Sequence, residues 1–244
     1  MKHYKLLIPL AIASFIQPVV ANEQTMTRNE VDLNNSKGWY LTLSSGAILP
    51  YTSDISFTLT DSENIPTTGS HDQKLATATE GGIGYDFGKI RAEITYNYSP
   101  LSGKTLRAKN DYTNASASLN SKSKIQSILF GLDYDFRVNK KWIPYIGGAI
   151  GPGLVDISSY KSLIDGDQYI MDPKSSTAFA YQIKSGVSYS ASNNTKLFIE
   201  VAHLGISETH LTILQGPDPG TTASNYSIHS HSGALVKLGI RRNF

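Results

Sequence analysis

From residue 38 onward the sequence repeats one device: segments of about ten residues in which apolar and polar side chains alternate. Successive side chains of a strand point to opposite faces, so each segment has one apolar and one polar face. Roughly ten residues is also the length at which a tilted strand crosses a bilayer. Eight such segments occur, at 38–48, 76–87, 90–98, 124–136, 142–155, 177–189, 195–205 and 232–244. The third is the clearest, with Ile90, Ala92, Ile94, Tyr96 and Tyr98 set against Arg91, Glu93, Thr95 and Asn97. The fifth is rich in glycine and apolar on both faces, so the pattern leaves its orientation open.

The connections constrain the chain further. Short ones, at 88–89, 137–141 and 190–194, alternate strictly with long polar ones at 49–75, 99–123, 156–176 and 206–231. Transmembrane barrels show this asymmetry, with short periplasmic turns and long outer loops. In lipid every backbone N–H and C=O must be paired, so a sheet spans only by closing on itself. The expected fold is therefore all-β: an eight-stranded antiparallel transmembrane β-barrel with short periplasmic turns and four long extracellular loops. The run at 55–60 allows a ten-stranded count, but a hairpin extension above the membrane is the preferred reading. Aromatic residues fall where an interfacial girdle needs them. Tyr85, Phe87, Tyr134, Phe136, Trp142, Tyr145 and Tyr189 flank the short turns, Trp39 and Phe244 lie at the matching chain ends, and Tyr51 and Tyr98 lie near the other rim.

Residues 1–21 read as a cleavable signal peptide: Lys2, His3 and Lys5 precede an apolar run at 6–16, and Val19-Val20-Ala21 supplies small residues for cleavage. The remainder divides into a periplasmic N-terminal extension at 22–37 and the barrel at 38–244. The chain has no cysteine, which removes disulfides and thiol chemistry from consideration, and its net charge of +2 gives no ground for nucleic-acid binding.

An eight-stranded barrel is narrow enough for side chains to fill it. The inward faces carry Glu80, Arg91, Glu93, Asp133, Asp135, Lys184, Glu200, Lys237 and Arg241. Charges of both signs facing one interior imply a paired network, because an unpaired buried charge is costly. Three other clusters have ordinary readings. The glycine-rich run at 147–153 lacks the Lys-Ser/Thr ending and following helix of a phosphate loop. Asp165-Gly166-Asp167 lacks the further ligands of a calcium loop and reads as a turn. Asn114-Ala115-Ser116 fits a glycosylation pattern without meaning in a bacterial setting. His229-Ser230-His231-Ser232, with Glu208 and His210 nearby in sequence, is the most enzyme-like run, and a polar loop entering a strand is the favoured reading. No cofactor and no metal site is expected.

Four segments resemble the opacity-type and major surface antigen family of outer-membrane barrels, and through it the OmpA membrane domain: Gly-Trp-Tyr-Leu-Thr-Leu-Ser at 38–44, Trp-Ile-Pro-Tyr-Ile-Gly-Gly-Ala-Ile-Gly at 142–151, Ala-Tyr-Gln-Ile-Lys-Ser-Gly-Val-Ser-Tyr at 180–189, and Val-Lys-Leu-Gly-Ile-Arg-Arg-Asn-Phe at 236–244. The resemblance spans the mature chain in its strands and fades in its loops. It implies residence in the outer membrane of a Gram-negative bacterium, among outer-membrane lipid, and insertion by the barrel assembly machinery, with Phe244 as the C-terminal assembly signal. It also implies a non-enzymatic surface protein whose loops at 49–75, 99–123, 156–176 and 206–231 serve adhesion, host or environmental contact. The alternatives are a small porin for passive solute passage and a rim-located lipid A hydrolase.

Overall fold

The computed structural model describes residues 37–244 apart from 61–63, 110–113, 119–120, 137–140, 159, 165–166, 172–173, 212–213 and 216–221. The leader at 1–21, nearly all of the extension at 22–37, and the Asp165-Gly166 turn lie outside the described residues. Eight long strands form the barrel wall: β1 (Gly38–Pro50), β4 (Ala76–Asp86), β5 (Ile90–Lys109), β7 (Lys122–Asp135), β8 (Trp142–Ile157), β11 (Lys174–Ser190), β12 (Thr195–Ile206) and β16 (His231–Asn243). Each pairs antiparallel with the next, and β16 returns to β1, so the cylinder closes with no edge among these strands.

The alternating pattern becomes an outside and an inside. Leu132 and Leu238 stay about two-thirds exposed, 63% and 64%, while Leu129 and Leu235 on the same two strands are at 0% and 2%. An apolar surface of this extent on all sides is unsuited to water, because soluble monomers rarely expose contiguous apolar patches beyond a few hundred Å². It suits hydrocarbon. Strand β8, ambiguous in sequence, turns Ile146 and Ile150 outward and Ile143, Tyr145 and Ala149 inward. At the short-turn end, ring pairs such as Tyr85–Phe87 at 4.6 Å and Trp142–Tyr189 at 4.8 Å form a girdle. Gly88 adopts a φ of 113° in the tightest turn, where its N–H donates to the Asp86 carboxylate at 2.7 Å.

Beyond the hairpin read at 55–60, the long connections differ from the polar loops expected of them. They contain β2 (Ser53–Thr60), β3 (Asn64–Gln73), β6 (Asn114–Ser118), β9 (Tyr160–Ile164), β10 (Asp167–Met171), β13 (Thr209–Leu211), β14 (Leu214–Gln215) and β15 (Thr222–Ile228). These pair in the order β6-β5-β3-β2-β15-β14-β10-β9, with β13 also on β15. The hairpin of β2 and β3 stands above the barrel instead of adding strands to it, so the wall keeps eight. Strand β5 joins the two parts: 20 residues long, it lines the barrel with its first half and carries the cap with its second. About ten residues suffice to cross the membrane, so β5 rises roughly 30 Å beyond it.

Candidate functional site

The lumen has two layers. The layer at the short-turn end is a charge network. Arg91 meets Asp133 and Asp135 at 3.0 Å each, and Lys184 binds Glu93 and lies 3.2 Å from Asp133. Lys237 bridges Glu80 at 2.6 Å and Glu200 at 2.8 Å. All nine charged residues expected to face the interior are buried there. Two more complete the set, Lys196 and Asp86 at 3.6 Å, giving five buried bases (Arg91, Lys184, Lys196, Lys237, Arg241) and six buried acids (Glu80, Asp86, Glu93, Asp133, Asp135, Glu200). Near-neutrality is what such a site needs, since each unpaired charge would carry a large desolvation cost.

Three aromatic rings hold the network in place. The Tyr40 hydroxyl donates to Glu93 at 2.8 Å, and the Tyr145 hydroxyl donates to Glu200 at 2.9 Å. Tyr145 is thus a lumen residue and not part of the girdle assigned to it above: it sits one residue off the outward phase of β8, between outward Pro144 and Ile146, and is 2% exposed. Arg241 lies over the rings of Tyr40, Tyr145 and Phe198 at 5.2, 5.9 and 5.6 Å. Those cation–π contacts are strengthened by the exclusion of water. Each ring stands in direct register with an inward glycine: Tyr40 with Gly84, Tyr145 with Gly186, Phe198 with Gly239. A Cβ at Gly239 would lie 2.2 Å from Phe198 Cζ, so the ring occupies the volume the glycine vacates.

Toward the cap the lumen turns apolar. Ile48, Leu129, Val155, Leu204, Ile206 and Leu235 are buried and form one cluster with Ile55, Leu106 and Ile228 of the cap. The barrel interior is therefore continuous with a core inside the cap strands. Alternation within one strand marks an apolar residue such as Leu235 as inward, whereas the common depth of these residues emerges only from the register. Beside this core lie two buried histidines, His71 of β3 and His231 at the start of β16. Burial pushes the His71 imidazole down to about 4, with the Asp72 carboxylate acting in the opposite direction. Burial also opposes ionisation of Asp72, but hydrogen bonds from Thr52 and Arg107 outweigh it and hold the carboxyl below its usual value.

The run from His229 to Ser232 does not gather into one site. His231 faces inward, with Nε2 3.1 Å from Thr209 Oγ1, whereas exposed His229 has Nδ1 3.3 Å from Glu208 Oε1. The side chains of His210 and Asn114 lie outside the described residues. Among the described residues no cluster of three or more His, Asp or Glu is placed to hold a metal ion. At the outer rim Tyr181, His203 and Tyr51 form an aromatic group, with His203 5.7 and 5.8 Å from the two tyrosine rings. Phe244, the C-terminal residue, is 73% exposed and donates its N–H to the Trp39 carbonyl at 3.0 Å, tying the last strand to the first.

The sequence profile of a family described as surface antigen matches residues 44–240. The chain belongs to that family. It is a surface antigen β-barrel with the fold of an outer-membrane protein. Among solved structures, it is similar to the outer membrane protein OprG from Pseudomonas aeruginosa at 12% identity and a TM-score of 0.55, covering 86% of this chain and 98% of that one. Neisserial surface protein A is 17% identical with a TM-score of 0.48, over 85% of this chain and 97% of that one. The outer membrane protease OmpT from Escherichia coli is 9% identical with a TM-score of 0.49, over 85% and 97%. At such identity the likeness to OprG shows the fold alone. Comparison with curated proteins gives no match.

Proposed function

We propose that this surface antigen barrel is a non-enzymatic, non-conducting platform whose folded cap makes contact with a host cell, another bacterium or the surroundings. The observation that carries this reading is the fusion of the four long connections into one sheet built on β5, with a core continuous with the lumen. A wall of paired strands presents a fixed surface, at an entropic cost already met in folding, and binding to such a surface loses less than binding to mobile loops. The charged layer, held by Lys237, Arg91 and Lys184, and the apolar layer above it act as the plug that keeps ions from passing. Phe244 serves as the signal read by the barrel assembly machinery.

Two experiments test this. Cells displaying the protein should adhere to a host or bacterial surface, and replacing the cap strands by short turns while retaining the barrel should abolish adhesion. Purified protein in planar bilayers should give no stable unitary current. Adhesion unchanged by removal of the cap would refute the contact role, and reproducible unitary steps would favour the small-porin reading. The His229–Glu208 pair keeps the hydrolase reading open to one check: lipid A deacylation that disappears in His229→Ala would establish it.

A further inference from the structure

A cleft of about 510 Å³ opens on the cap, lined by polar side chains together with Gly69 and the core residue Ile55. Cross-strand register builds it. Asp54 of β2 lies opposite Ser70 of β3, and Ser70 lies opposite Arg107 of β5, in a single row. Thr68 and Lys109 are partners in the next row. At the far end stands His229, whose backbone N–H donates to the Asp54 carbonyl at 3.0 Å. Two cations thus occupy one side, hydroxyls the middle, and a carboxylate with an imidazole the other side.

The polar groups are oriented before any ligand arrives. Arg107 Nη1 donates to Asp72 Oδ2 at 2.7 Å, and Thr52 donates to the other oxygen of the same carboxylate at 2.7 Å. A guanidinium has five donors in a fixed fork, and this contact with Asp72 employs one. Glu208 engages His229 at Nδ1. This leaves Nε2 as the second ring nitrogen for a ligand. Sugar hydroxyls need both acceptors and donors, which Asp54, Ser70 and Thr68 supply, while a phosphate or carboxylate needs the cationic pair. The volume lies within the roughly 300–1,000 Å³ of small-molecule sites.

We propose that the cleft formed by Asp54, Ser70, Thr68, Arg107, Lys109 and His229 binds a saccharide carrying a phosphate or carboxylate group. The proposal rests on the reading of the cap as a contact surface and names the chemistry of one contact. Such a sugar has two sources: the head groups of glycolipid surrounding the barrel, or a glycan presented from outside.

The full chain in phosphatidylcholine nanodiscs, titrated with glucose 6-phosphate, glucuronate and uncharged glucose, tests it by calorimetry and amide chemical-shift changes. The two charged sugars should bind and glucose should bind at least tenfold more weakly. Lys109→Ala and Arg107→Ala should each weaken the charged sugars roughly tenfold or more, the loss expected of one charge-assisted hydrogen bond. Lys74→Ala, an exposed cation outside the cleft, should change nothing. Nanodiscs containing a phosphorylated glycolipid separate the sources: competition with the soluble sugar indicates the head group, and undiminished binding indicates the external glycan. No binding of either charged sugar, equal binding of glucose, or unchanged binding in Lys109→Ala would overturn the proposal. If adhesion through the cap persists in Lys109→Ala and Arg107→Ala and resists competition by sugar phosphate, the site is wrong and the contact role stands.

Discussion

Lys237→Met is the sharpest perturbation of the lumen. The native ammonium is fully buried and lies between Glu80 and Glu200, 2.6 and 2.8 Å away. Methionine keeps the length of the aliphatic stem and removes the charge, leaving two carboxylates facing each other without their shared cation. Breaking a buried pair from one side costs about 3–5 kcal/mol, because the remaining charge stays desolvated. At about 1.4 kcal/mol per factor of ten, that shifts the unfolding equilibrium by roughly two to four powers of ten. Reversible urea unfolding in liposomes, followed by the fluorescence of girdle residues Trp39 and Trp142, measures the loss. Neutralising the acids in Lys237→Met/Glu80→Gln/Glu200→Gln should recover most of it, since the cost arises from unpaired charge and not from lost volume. A single substitution costing less than about 1 kcal/mol, or a triple variant no more stable than the single, would refute the paired-network account.

Other outcomes follow from the same structure. Gly239→Ala should destabilise by about 1–3 kcal/mol, because the new Cβ would meet the Phe198 ring, and Gly239→Ala/Phe198→Leu should regain part of the loss in the same urea titration. His71 has a folded-state value depressed to about 4 from an ordinary 6.5, so it contributes stability above pH 6.5 that is lost as the pH falls toward 4. The loss is at most about 3 kcal/mol. Amide exchange in β2 and β3 should accelerate over that window, and His71→Gln should make the profile shallower. On intact cells, trypsin should leave Arg107 uncut, as it is paired on both sides within β5, with Ser70 and with Ser116. A Lys89→Cys variant should resist membrane-impermeant maleimide while Thr68→Cys reacts. Cutting at Arg107 or labelling at position 89 would contradict the topology.

The wall was legible because membrane strands write their two faces directly into alternate residues. Ile90 to Tyr98 fixed inside and outside for β5, and the same phase placed Glu80, Lys184, Lys237 and Arg241 in the lumen. The Tyr145 reading failed for a local reason. Glycines and prolines in β8 dilute the alternation, and closeness to a short turn does not distinguish a girdle ring from a lumen ring. Register supplies what spacing lacked: Tyr145 faces Gly186 on β11, a relation between residues far apart in sequence. The cap was hidden for a related reason. Apart from the run at 55–60, its strands are short and rich in Ser, Thr and Asn, so they read as polar loop until pairing with β5 and the barrel core beneath organises them. The Asp72–Arg107 contact and the cleft beside it likewise depend on a pairing between separate connections.

Cross-strand contacts in the lipid-embedded protein test the folded cap most directly. Nuclear Overhauser effects should connect Ile55 with Gly69 and His71 with Leu106, as the register requires. Amides on both sides should be protected from exchange as strongly as those near the membrane rim. Absent cross-strand effects together with exchange at free-loop rates would contradict a folded cap and leave only the barrel beneath it.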